Sequence, residues 1–168
     1  MEVEVEVMQG SILEVEAEAI TNAANSQGWM GGGVAGAIKR VAGQEVEREA
    51  MAQAPIPVGG AVLTSGGRTK FKGIVHASTM ERPATRIPAS NVGKATLAAL
   101  TCADEAGFAS LALPGLGTGV GGVAREEAAR EMLQAIRGFR SRHLRKVILV
   151  DLDPEMVRAW REELKKDR

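Results

Sequence analysis

The chain has 168 residues, a length suited to one domain spanning 1–168 around a single core. Its 21 basic and 21 acidic residues cancel, which excludes a strongly cationic grip on nucleic acid as its main function. No apolar run reaches the ~18 residues of a membrane span, Met1-Glu2-Val3-Glu4 lacks a secretory pattern, and one cysteine (Cys102) excludes an internal disulfide or a cysteine zinc cluster, so a cytoplasmic protein is expected.

Glu2 to Val7 alternates charge with valine, the pattern of a half-buried strand at a sheet edge. Gln9-Gly10-Ser11 is a turn, and Ala19 to Asn22 is a short strand. Val34 to Val41 is a helix closed by Gly43, and Gln44 to Gln53 is a second, stopped by Pro55 and Pro57. Gly60 to Thr64 and Gly73 to Ala77 read as a hairpin-like pair around Ser65-Gly66-Gly67. Thr79 to Ala89, with Pro83 and Pro88, reads as a loop, and Ser90 as the N-cap of a helix whose face is Val92, Ala95, Ala99, Cys102 and Ala106. Ser110 to Leu113 is a buried strand. Ala124, Ala128, Met132, Ala135, Ile136 and Phe139 form a helical stripe. Val147 to Val150 is continuously apolar, as in a central strand covered on both faces. Asp153-Pro154 opens a last helix that buries Val157, Trp160 and Leu164.

Strands alternating with helices predict a three-layer α/β/α sandwich with a largely parallel interior. The alternating first strand and the hairpin-like pair suggest antiparallel pieces, hence a mixed sheet.

Glycine makes up 20 of the 168 residues, above the usual ~7%, and much of it lies in two clusters, Gly28 to Gly36 and Gly115 to Gly122. Each cluster joins a strand to a helix, the place where open α/β sheets bind ligands. A helix N-terminus offers free N–H groups and about half a positive charge, and glycine lets the backbone approach an anion closely. No charged residue falls between Ala23 and Ile38 or between Pro114 and Ala124, and no P-loop string is present. The pair therefore suits a diphosphate held by backbone dipoles, with no lysine or metal site to break it; no cofactor and no metal are expected. Gly117-x-Gly119-x-x-Gly122 also fits a dinucleotide fingerprint, but the acidic residue expected ~20 positions later, at a second strand end, is missing.

Asn22-Ala23-Ala24-Asn25-Ser26 followed by Gly31-Gly32-Gly33-Val34-Ala35-Gly36-Ala37-Ile38 resembles the macro domain family. The resemblance extends through Val75-His76-Ala77, Ser110 to Gly122 and Val150 to Asp153. It implies a six-stranded mixed sheet and a ligand: ADP-ribose, a derivative, or ADP-ribose carried on a modified protein. Carried over, Asn25 would bond the distal ribose and orient a water. Ala23, Gly31, Gly32, Gly33, Val34 and Ala35 would line one side of the diphosphate. Pro114, Gly115, Gly117, Thr118, Gly119, Val120, Gly121 and Gly122 would wrap the other. Ser11, Ile12 and Leu152 would meet the adenine.

Several positions depart from the family. Ser11 stands where many members have an aspartate, and Leu152 lies near a position where members often stack an aromatic. Gly121 stands where many place a tyrosine or phenylalanine, so that side is expected to be open and Gly121→Tyr to tighten binding. Ala35 stands where a hydrolase branch has an aspartate, and neither loop has the lysine of another branch. Two alternatives to a binding module follow: a hydrolase that releases ADP-ribose from protein or from a small ester, and a poly(A) or RNA binder. The neutral charge and scarce aromatics disfavour nucleic acid. His76 reads as a satisfied core histidine and Cys102 as core filler. The basic stretch Arg137 to Lys146, which includes His143, reads as a solvated helix end. Glu14, Glu16 and Glu18 read as a solvated edge without a cation nearby.

Overall fold

A computed structural model describes residues 1–82 and 85–166. Its six strands are β1 (Glu4–Gln9), β2 (Ala19–Asn25), β3 (Ala61–Thr64), β4 (Gly73–Met80), β5 (Ser110–Leu113) and β6 (Lys146–Asp151). They form one sheet in the order β1-β6-β5-β2-β4-β3. Five helices accompany them: α1 (Gly33–Ala42), α2 (Gln44–Ala52), α3 (Ala89–Glu105), α4 (Arg125–Gly138) and α5 (Pro154–Lys165).

Alternation along each strand sorts the core into two halves. Ala19, Val75, Leu111, Leu113, Val147 and Leu149 face α3, α4 and α5, where Ala99, Met132 and Trp160 are fully buried. Ile20, Ile74, Ala112, Ile148 and Val150 face α1 and α2, against Ile38 and Val46. The apolar run in β6 is thus covered on both faces. At the edge, β1 is half-buried, with exposure alternating from Glu4 through Val7.

The sheet is mixed because the hairpin-like pair is antiparallel, as expected, but the first strand is not. β1 runs parallel to β6, with Glu4 opposite Lys146, and only β3 is antiparallel, against β4. Alternation in β1 records an edge position with one wet face and carries no information about direction. β2 runs on past Asn22 to Asn25, and β4 past Ala77 to Met80, so Thr79 belongs to a strand; Pro83 lies outside the described residues. α3 starts at Ala89 with Pro88 as its N-cap, two residues earlier than a Ser90 cap would give. Pro88 needs no N–H there, and its fixed φ suits an extended cap residue. Asp153 does cap α5, its carboxylate accepting the Glu155 N–H at 3.1 Å.

The solvated acidic edge is also revised. Glu16 pairs with Lys70 at 3.2 Å, and Glu18 pairs with Lys72 while accepting the Ala109 N–H at 2.6 Å. The Lys72 hydrogen bond, helped by Ala109, holds the Glu18 carboxyl below its ordinary value. The cations come from the β3–β4 connection, distant in sequence.

Candidate functional site

β2 and β5 are adjacent and parallel, with Ile20 opposite Ala112. The chain leaves β2 for α1 on one face of the sheet and leaves β5 for α4 on the other. Their connections therefore diverge from neighbouring strand ends and open a crevice between them, the switch point at which open α/β sheets bind ligands. Both glycine clusters lie on these two connections, so the fold brings the clusters side by side.

In the first connection, the Asn25 side chain ties the backbone to itself. Its Oδ1 accepts the N–H groups of Gln27 at 3.0 Å and Trp29 at 3.3 Å, and its Nδ2 donates to the Trp29 carbonyl at 2.9 Å. Ser26 N–H reaches the Met80 carbonyl, Gly28 N–H the Asn25 carbonyl, and Met30 N–H the Glu47 carboxylate at 2.7 Å. Glu47 also pairs with Lys39 at 2.8 Å. Burial alone would raise the Glu47 pKa, but the bonds from Lys39 and Met30 bring it below the ordinary value.

Beyond Met30 the pattern stops. Among the described residues, the N–H groups of Gly31, Gly32 and Gly33 donate to no protein group, and all three glycines are exposed. Gly32 is the N-cap of α1; it supplies no side-chain cap, and no acidic residue stands in the first turn. The positive end of this helix is therefore uncompensated and faces the crevice.

The second connection is anchored at its base and free at its tip. Asp151, at the end of β6, accepts the Gly115 N–H at 2.9 Å and the Asp153 N–H at 3.0 Å. The Thr118 hydroxyl donates to the Gly115 carbonyl at 3.1 Å. Gly122 N–H reaches the Gly119 carbonyl and Val123 N–H the Gly117 carbonyl. Between these anchors, the N–H groups of Thr118, Gly119 and Val120 donate to no group among the described residues.

The other expected contacts sit around this core. Ala23 is half-buried in β2 beneath the loop, and Ala35 and Pro114 are buried. Val34 is half-buried in the first turn of α1. Ser11 caps the short 3₁₀ turn Ile12–Glu14, its Oγ accepting the Leu13 N–H at 3.2 Å. Ile12 is buried against the α1–α2 side of the core. Three large apolar side chains are exposed at the same end of the sheet: Trp29 (48%), Val120 (63%) and Leu152 (71%).

Gly121 behaves differently from its expected role. It is buried, and a Cβ there would stand 2.6 Å from the Gly117 carbonyl oxygen. The expectation that Gly121→Tyr tightens binding is therefore withdrawn, because the loop has closed onto the space a side chain would need.

Sequence reasoning missed three residues. Glu47 and Asp151 are distant in sequence and act through backbone N–H groups, which leave no trace in composition. Asp151 does occupy the strand end where a dinucleotide fingerprint expects an acid, but its oxygens are engaged by Gly115 and Asp153. The third is Arg86, whose guanidinium lies against Gly122.

His76 is a satisfied core residue. Asn22 Nδ2 lies 3.1 Å from its Nδ1, and Thr64 Oγ1 lies 2.9 Å from its Nε2. Burial pushes its pKa down to about 4, opposed by Glu49. Cys102 is half-buried, and burial, with Glu105 nearby, raises its pKa to about 11, which leaves a poor nucleophile. The basic stretch is largely paired at the surface, Arg137 with Glu163, Arg140 with Glu2 and Lys146 with Glu6. The described residues contain no group of three potential metal ligands and no helix long and apolar enough to cross a membrane. A cavity of about 650 Å³ lies at the α1–α2 corner, lined by Arg40, Arg48 and Arg68, and does not include the glycine connections.

The six-stranded mixed sheet and its flanking helices match those of solved macrodomains. The Macro domain family profile matches residues 21–132, and the chain belongs to that family. An uncharacterized protein of Aquifex aeolicus is 57% identical over 161 residues, covering 96% of this chain and 98% of its own. One from Aeropyrum pernix is 48% identical, covering 91% and 81%. Among solved structures, a mutant Oceanobacillus iheyensis macrodomain with ADPR superposes with a TM-score of 0.87 at 26% identity, covering 98% of this chain and 94% of that one. The Trypanosoma brucei macrodomain in complex with ADP-ribose gives 0.85 at 25% identity, covering 95% and 68%.

Proposed function

We propose that this protein binds ADP-ribose, free or carried on another molecule, in the crevice between the β2 and β5 connections. The observation that carries this reading is the pair of unengaged N–H runs, Gly31 to Gly33 and Thr118 to Val120, on neighbouring strand ends. Backbone dipoles alone can hold a diphosphate in such a place.

Strand order supports one direction for the ligand. The connections after β1 and β6 carry Ser11, Ile12 and Leu152, and they lie on the β5 side of the crevice. Adenine belongs there, against the apolar Leu152. The distal ribose belongs at the β2 end, where Asn25 keeps one Nδ2 hydrogen beyond its bond to Trp29. The solved relatives whose structures hold ADP-ribose support the choice of ligand.

Binding is favoured over hydrolysis because neither connection carries a group that takes a proton at neutral pH. Asn25 can orient a water but cannot deprotonate it, and Ala35 offers no acid.

Calorimetric titration with ADP-ribose, AMP and oligoadenylate tests the proposal. ADP-ribose is expected to bind clearly more tightly than AMP, and Gly32→Glu to lose at least about tenfold, since its carboxylate meets the diphosphate at short range. Gly32 is the clean position: its φ is −139° and its surroundings are open, whereas Gly33 sits at φ +58°, where any side chain adds about 1 kcal/mol of strain. Equal affinity for AMP, or an unchanged Gly32→Glu variant, overturns the assignment.

A further inference from the structure

Both glycine connections are uncharged along their whole length, yet a cation stands beside one of them. The Arg86 Cζ and Nη2 lie 3.0 Å, and its Nε 3.2 Å, from the point a Cβ on Gly122 would occupy. The guanidinium therefore lies on the bare face of that glycine. Gly122 also has φ +73°, so its lack of a side chain serves both the turn and the close approach of Arg86.

The stretch that carries Arg86 is fastened to the same connection. Ile87 N–H donates to the Gly121 carbonyl at 3.0 Å, and Ile87 Cδ1 lies 3.1 Å from the Cβ position of Gly117. Arg86 is exposed, and none of the ion pairs or hydrogen bonds of the described residues involves it. The backbone thus presents an uncommitted guanidinium beside Gly122, on the same connection as the free N–H groups of Thr118 to Val120.

We infer that Arg86 is a ligand-binding residue: its guanidinium pairs with the diphosphate from the exposed Gly122 face of the second connection. This inference rests on the reading of the crevice given above. A guanidinium offers several N–H donors in one plane and matches phosphate oxygens two at a time. It would supply charge where the loops supply only dipoles, and so favour diphosphate ligands over uncharged nucleosides.

Titrations of ADP-ribose and adenosine into the unaltered protein, Arg86→Gln and Arg86→Lys, at low and high salt, test this. Loss of a charge-assisted bond should weaken ADP-ribose about tenfold in Arg86→Gln and flatten its salt dependence. Arg86→Lys should recover part of the affinity, and adenosine should change less than about twofold. Affinity for ADP-ribose within about twofold in Arg86→Gln overturns the inference alone. Equal losses for ADP-ribose and adenosine also overturn it, since they mark a residue that only braces the loop. Failure of the unaltered protein to bind ADP-ribose overturns the crevice assignment and this inference together.

Discussion

An added Cβ at Gly31, Gly32 or Gly33 would meet nothing within 4 Å, whereas one at Gly121 would lie 2.6 Å from a backbone oxygen and one at Gly115 2.7 Å from Met156. The two connections share a composition for opposite reasons. In the first, glycine leaves the N-terminus of α1 uncovered on its outer side. In the second, several glycines let the chain fold onto itself and onto the core, so that between Gly115 and Gly122 only Gly119, Val120 and Gly122 are exposed. The first connection is bare from Gly31 to Gly33, between packed glycines at Gly28 and Gly36, and the second is a tight turn with a bare tip.

The sharpest way to break this contrast is to load the tight turn. Gly121→Tyr forces its Cβ against the Gly117 carbonyl, and backbone cannot move aside as a side-chain end can. We expect a loss of roughly 3 kcal/mol, about 6–12 °C in Tm, with ADP-ribose binding weakened along with it. Thermal unfolding and titration together check this. A Gly121→Tyr protein as stable as the original, with tighter binding, would show that the turn opens readily and that the two connections are alike.

A smaller effect is expected from cutting the ties of the first connection. Asn25→Ala strands the Gln27 and Trp29 N–H groups, and Glu47→Ala strands that of Met30; each should cost about 1–2 kcal/mol. Binding should fall in both, because both hold the approach to Gly31. The two variants differ if Asn25 also touches ligand: Asn25→Ala then weakens ADP-ribose more than Glu47→Ala does at equal loss of stability. The Glu47 contribution should not vary between pH 7 and 5. Its folded pKa is lowered, so the stabilisation is complete above the ordinary carboxylate value and is lost only as pH falls through the lower, folded one. Denaturant unfolding across that range checks the sign.

Much of the fold was legible because periodicity reports burial. Continuous apolar residues at Val147 to Val150 marked a central strand, and Asp153-Pro154 marked a helix start. Pairing direction in β1 was not legible, since alternation is the same for parallel and antiparallel edges. The position of both candidate connections was legible from glycine at strand-to-helix junctions, and strand order supplied their adjacency. Their internal bonding was hidden. Glu47, Asp151 and Arg86 act from other segments, through contacts set by tertiary packing. The conflict at Gly121 was hidden too, because a glycine with room and a glycine without it are the same letter.

The gentlest test asks whether the first connection is as bare as its geometry implies. Gly31 is exposed, its backbone lies outside the left-handed region, and an added methyl meets no atom. Gly31→Ala should therefore change stability by less than about 0.5 kcal/mol, and any shift should be upward, since alanine narrows the unfolded ensemble. Its effect on ADP-ribose is the informative part. If the Gly31 N–H lies against a diphosphate oxygen, a methyl beside it crowds the ligand, and affinity falls severalfold while Tm holds. If affinity and Tm both hold, the ligand contacts begin at Gly32, and the bare surface shrinks to the helix N-terminus itself. A fall in Tm with unchanged affinity would reverse the contrast, placing the packing constraint in the first connection.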